Sequence, residues 1–124
     1  MLKSILVNTS NVTNMARMFY DNRCLTSVDL STFNTSNVTD MCTMFWNCYS
    51  LTSLDLSSFD TSNVTDMRSM LVMYESSNLT TIKTPKKSGE EVPDLPEGTW
   101  KDSSGNTYTT LPANATESIT LTKG

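Results

Sequence analysis

No histidine occurs anywhere in the 124 residues. The usual general base of neutral-pH catalysis and the commonest zinc ligand are therefore both missing. Cysteine is scarce: Cys24, Cys42 and Cys48 contain no C-x-x-C pair, and their odd number leaves at least one thiol unpaired. Charge is low at 18%, and 13 acidic residues against 9 basic ones give a net charge of −4. A chain without a basic face is a poor partner for nucleic acid or anionic membrane. No apolar run approaches the length of a membrane span, so no membrane insertion is expected. The opening MLKSILV does not show the charged n-region, apolar h-region and cleavage site of a signal peptide in sequence, so none is expected.

What the chain has instead is self-similarity. Asn34 to Phe59 reads NTSNVTDMCTMFWNCYSLTSLDLSSF, Asn8 to Phe33 reads NTSNVTNMARMFYDNRCLTSVDLSTF, and the stretch from Asp60 reads DTSNVTDMRSMLVMYESSNLTTIKTP. The copies start at residues 8, 34 and 60, a period of 26 at both joins. Repetition at this spacing marks a stacked array. One apolar set recurs as Leu25, Val28 and Leu30, then Leu51, Leu54 and Leu56, then Leu79, Ile82 and, in the last place, Thr84. L-x-x-L-x-L is the strand core of a leucine-rich repeat, and alternation turns Leu54 and Leu56 inward and Asp55 to solvent. Leu2, Ile5 and Val7 repeat this spacing and predict a further strand. The other set is Val12, Met15, Met18 and Phe19, then Val38, Met41, Met44 and Phe45, then Val64, Met67, Met70 and Leu71. Its spacing predicts a short strand entering one or two turns of helix, with Thr39 or Asp40 as cap. The expected fold is a leucine-rich-repeat solenoid of short parallel strands and short helical turns.

Magnitudes require the copies to stack. About eight buried side chains at roughly 1.5–3 kcal/mol each supply on the order of 12–24 kcal/mol per copy. Ordering the backbone of each residue costs about 1–2 kcal/mol, so a lone copy does not fold.

After Thr84 the pattern stops. PKKSGEEVPDLPEG carries three prolines and two glycines and reads as a connector. Trp100 and Tyr108 flank a turn at Asp102 to Asn106, and ESITLTK places Ile119 and Leu121 on one face of a last strand. The expected division is an array over 1–85, a linker over 86–98 and a small β appendage over 99–124, packed on the array as a cap.

Several constellations invite chemistry. Asn11, Asn37 and Asn63 are placed to form an amide ladder bonding the backbone of adjoining coils. With Asn78 and Asn114 they also stand in N-x-S/T sequons, the rival reading. Cys24 and Cys48 lie at adjoining corners of stacked coils, either as a disulfide or as small buried thiols. Asp29 with Asp55, and Asp40 with Asp66, are carboxylate pairs of the kind used in acid/base or calcium sites, but repeat equivalence explains them without chemistry. Lys83 faces Asp55 across the strands as a favourable pair. No catalytic residue, cofactor or metal is assigned, and no enzyme is expected. The candidate binding residues are the outward strand positions Thr26, Ser27, Asp29, Thr52, Ser53, Asp55, Thr80, Thr81 and Lys83, with Tyr20 and Trp46 at a rim.

The phrase F-[ND]-T-S-N-V-T-D-M-x-x-M-F, followed by N-C-x-S-L-T-S-L-D-L, resembles the repeat of BspA-like leucine-rich-repeat surface proteins, a unit also found in mycoplasmal lipoproteins. The resemblance covers about Met1 to Pro85, and more weakly W-x-D-x-x-G-N-x-Y in the tail. It implies a right-handed solenoid on an exported bacterial cell-surface protein that attaches to host proteins or other cells. It carries no catalytic residues. The competing expectation is a structural spacer whose apolar ends stack end to end.

Overall fold

A computed structural model describes residues 9–73 and 77–124. The strand expected at Leu2, Ile5 and Val7 lies outside them.

The copies are joined by backbone rungs. Met15, Arg17, Phe19 and Asp21 donate N–H to the carbonyls of Asp40, Cys42, Met44 and Trp46 at 2.7–3.0 Å. Met41, Thr43, Phe45 and Asn47 donate in the same way to Asp66, Arg68, Met70 and Val72. The intervening N–H groups turn back three residues, Met18 to Met15, Tyr20 to Arg17 and Asn22 to Phe19. The first two copies therefore each contain a turn ribbon whose alternate N–H groups leave for the next copy.

This ribbon overturns the expected helical turns: the described residues contain no helix. An α-helix sends each N–H to the carbonyl four residues back, which would leave no donor for a neighbour. Left-handed residues break it further: Arg17, Thr43 and Ser69 have φ of 62, 54 and 56°, and Asp21 and Asn47 have 55 and 60°. Thr39 and Asp40 cap nothing helical. Thr39 N–H bonds the Thr13 carbonyl, and Asp40 Oδ1 accepts the N–H of Cys42. The right-handed leucine-rich-repeat solenoid is corrected accordingly, because the molecule is mostly loop around a mixed sheet.

That sheet has five strands, β1 (Ser53–Asp55), β3 (Thr81–Lys83), β5 (Trp100–Lys101), β6 (Thr107–Tyr108) and β7 (Thr120–Lys123), in the order β1-β3-β7-β5-β6. Only β1 and β3 run parallel, and the other joins are antiparallel. A smaller parallel pair joins β2 (Asp60–Thr61) to β4 (Lys87–Ser88). Lys87 and Ser88 thus belong to a strand, although composition marks them as connector.

The corners stack through buried hydroxyls. Thr9 Oγ1 accepts the Asn34 N–H at 2.7 Å and donates to the Asn34 carbonyl at 2.9 Å, and Thr35 does the same with Asp60. Ser88 continues the column, donating to the Pro112 carbonyl and accepting the N–H of Ala115. Gly89 lets the chain pass close beside it, where an added Cβ would meet the Ser62 carbonyl oxygen at 3.0 Å. The amide ladder forms as well: Asn37 Nδ2 donates to the Ser10 carbonyl and Asn63 Nδ2 to that of Ser36.

One apolar core spans the repeats and the tail, from Met15 and Phe19 through Leu54 and Ile82 to Trp100, Leu111 and Leu121. Phe19 stacks on Phe45 and Phe33 on Phe59. Thr84, buried where the repeat calls for a leucine, accepts the N–H of Ile119 at 2.8 Å. The Cys24–Cys48 disulfide is absent. All three thiols are free, and buried Cys48 points its Sγ at the Phe19 carbonyl, 2.9 Å away.

Candidate functional site

Alternation along the strands fixes which side chains meet solvent. Leu54, Ile82 and Leu121 sit side by side and buried, so their neighbours project the other way. Register lines up Ser53, Thr81, Thr122, Lys101 and Thr107 across the sheet in one row, and Asp55, Lys83 and Thr120 in another. Every member of both rows is exposed except half-buried Thr81. Thr80 adjoins Thr52 through its N–H, 3.0 Å from the Thr52 carbonyl, and both are exposed.

Asp55 and Lys83 are register partners but are not an ion pair. Asp55 Oδ1 instead accepts from the N–H and hydroxyl of Ser57 at 2.9 and 2.5 Å. Asp29 repeats this local turn with Ser31. Asp29 and Asp55 share the lining of one depression of about 370 Å³ with Ser57 and Ser58. With one oxygen of each committed to its own turn, the pair reads as loop architecture. Thr26 and Ser27, exposed and half-buried, precede Asp29 in the first copy.

Tyr20 and Trp46 lie on the ribbons rather than the strands. Their rings stack at 4.7 Å with planes 11° apart, and the Arg17 guanidinium lies 5.6 Å from the Tyr20 ring centre. Next to them Arg23 bonds Asp21 at 2.9 Å and Asn47 Nδ2 bonds it at 3.1 Å. These contacts, Arg23 first, hold the Asp21 carboxyl below its ordinary range.

A second cluster joins Asp40, Cys42 and Asp66, half-buried, with ligand atoms within 4.8 Å of one another. Two carboxylates and a thiol are a donor set that a cation would accept. Arg68 already supplies positive charge there, 2.9 Å from Asp66, and depresses that carboxyl's pKa.

Sequence reasoning missed Lys101, Thr107, Thr120 and Thr122. The T-L-T alternation of the last strand was the available signal, but antiparallel pairing with β3 is long-range and left no mark on the sequence.

The repeats match, over residues 4–84, the family described as "Mycoplasma protein of unknown function, DUF285". The chain belongs to the DUF285 family. No curated protein and no solved structure matches it. The family match ends at Thr84, just after β3, so the DUF285 portion contributes β1 and β3 of the exposed face, and residues beyond it contribute β5, β6 and β7.

Proposed function

We propose that this DUF285 chain is a non-enzymatic recognition module of a bacterial cell-surface protein, which presents its exposed sheet face to a protein or cell-surface ligand in adhesion. The observation that carries the reading is the register of Ser53, Asp55, Thr81, Lys83, Thr120 and Thr122 over a fully packed inner layer. A rigid face of short polar side chains loses little conformational entropy on contact, which favours docking. The surface location rests on the resemblance of the repeat phrase to BspA-like surface proteins. A structural spacer stacking through its ends is the second reading, favoured by the column in which Phe19 stacks on Phe45 and Phe33 on Phe59 from copy to copy.

The test is a binding screen of the full chain against host extracellular proteins and intact bacterial and epithelial cells, alongside Thr81→Arg and Lys83→Glu variants. The reading expects a saturable partner whose binding both variants weaken with no change in melting. Absence of any partner, or variants that bind like the parent, would sink it.

A further inference from the structure

The third copy keeps the ribbon but not its outlet. Met70 and Val72 turn their N–H groups back to the carbonyls of Met67 and Ser69, as in the copies before it. The outgoing places fall on Met67 and Ser69, equivalent to Met41 and Thr43, and among the described residues no acceptor takes either N–H. Met67 is only 2% exposed, so its N–H is an unpaired donor in a buried residue, which costs free energy until something accepts it. The cause lies in the segment that follows. At the step of 27 by which Asp60 pairs with Lys87 and Thr61 with Ser88, the next acceptor in line is the Pro93 carbonyl. That carbonyl is taken by the N–H of Leu111 at 3.1 Å, and Leu95 bonds the Thr109 carbonyl, because residues 93–95 leave the repeat path to run antiparallel to 109–111. The departure opens a cavity of about 350 Å³ with residues 67–69 on one wall and 91–94 on the other.

Two donors on alternate residues call for two carbonyls on alternate residues, which an extended backbone presents along one edge. Charge selects the side chains. Arg68 is paired with Asp66 at 2.9 Å, whereas exposed Glu91 and Asp94 have no ion pair among the described residues. The cavity is therefore negative, with half-buried Val92 as apolar lining, and it repels an anionic acceptor such as a carboxylate or phosphate. Its volume falls within the roughly 300–1,000 Å³ of small-ligand sites. We infer that this cavity binds an extended peptide segment of a partner protein, whose carbonyls accept from Met67 and Ser69 and whose lysine or arginine side chain meets Glu91 and Asp94. The incoming strand takes the place that the tail vacates at Pro93. The site shares no residue with the strands of the exposed sheet face.

The experiment titrates the isotope-labelled full chain with the blocked peptide acetyl-Lys-Val-Lys-Val-Lys-amide and follows each backbone amide by NMR. The Met67 and Ser69 amides should shift saturably, and their exchange with solvent should slow about tenfold or more once the peptide is bound. The peptide acetyl-Glu-Val-Glu-Val-Glu-amide should leave both amides where they are. Glu91→Lys combined with Asp94→Lys, both at exposed positions, should weaken the lysine peptide about tenfold with unchanged melting. No saturable shift at Met67 and Ser69, an equal response to the glutamate peptide, or indifference to the double charge reversal would each overturn the proposal. Thr81→Arg should leave the titration intact, so failure here is separable from failure of the sheet-face reading.

Discussion

Thr35 and Asp60 are tied twice through one oxygen, the Thr35 hydroxyl accepting the Asp60 N–H and donating to the Asp60 carbonyl, both at 2.9 Å. Thr35 is 1% exposed, so its hydroxyl has no ready substitute for these two partners. Thr35→Val keeps the shape and strands both groups, and should cost about 1–3 kcal/mol in a denaturant melt. Thr35→Ser should keep most of the stability. A silent Thr35→Val would mean that the corner hydroxyls do not hold the copies together.

Leu54, 2% exposed, is flanked by exposed Ser53 and Asp55 on the same strand. Leu54→Ala should destabilise by roughly 2–5 kcal/mol. Ser53→Ala should stay within about 0.5 kcal/mol of the parent. Thermal melts of the two variants check the inward and outward assignment directly.

Ser69 is exposed with φ at 56°. A left-handed backbone costs an L-residue about 1–2 kcal/mol, and glycine avoids that penalty while giving back some unfolded-state entropy. Ser69→Gly should therefore raise stability by up to about 1 kcal/mol. Ser69→Pro, whose ring fixes φ near −65°, should be strongly destabilising. Equal melting of the two would contradict the ribbon geometry.

The pH profile should fall at both ends. Asp66, bonded by Arg68, and Asp102, bonded by Asn106 and Tyr108, have depressed pKa values. Burial works against Asp60, but Ser62 and the nearby lysines outweigh it and depress that group too. A depressed carboxyl contributes stability above its unfolded value, so melting should hold down to about pH 4 and drop below it as these groups protonate. Burial raises the Cys48 thiol to about 11. Its contribution is complete below the unfolded thiol value of about 8.5 and is lost as the pH rises beyond it. Cys48→Ala should flatten part of that alkaline limb, and in a thiol-labelling time course exposed Cys24 should react before Cys48.

Much of the packing could be read from residue spacing. The inward places of Leu54 and Ile82, the amide ladder of Asn37 and Asn63, and the 26-residue step all depend on which positions recur. The ribbon was not legible. Val38, Met41, Met44 and Phe45 have helical spacing because both a helix and this ribbon bury every third or fourth residue. Hydrogen bonds to another copy, which the spacing does not encode, decided between them. Likewise the prolines and glycines of the stretch after Thr84 hid the pairing of β4 with β2, where Ser88 takes the place of a threonine. On the candidate face, Ser53, Asp55, Thr81 and Lys83 followed from alternation within a copy, whereas Thr120 and Thr122 join them only through β7.

The rungs also set a counting rule for how such a chain can change length. Asn14, Asp40 and Asp66 align at steps of 26, whereas Ser53 aligns with Thr81 at a step of 28, so the two extra residues enter between Val72 and Asn78. A one-residue insertion between Asp40 and Trp46 would exchange each later outgoing N–H of that ribbon for an inward one, like a frameshift in a message. Lengthening without disruption therefore comes in whole copies, by duplication of the unit.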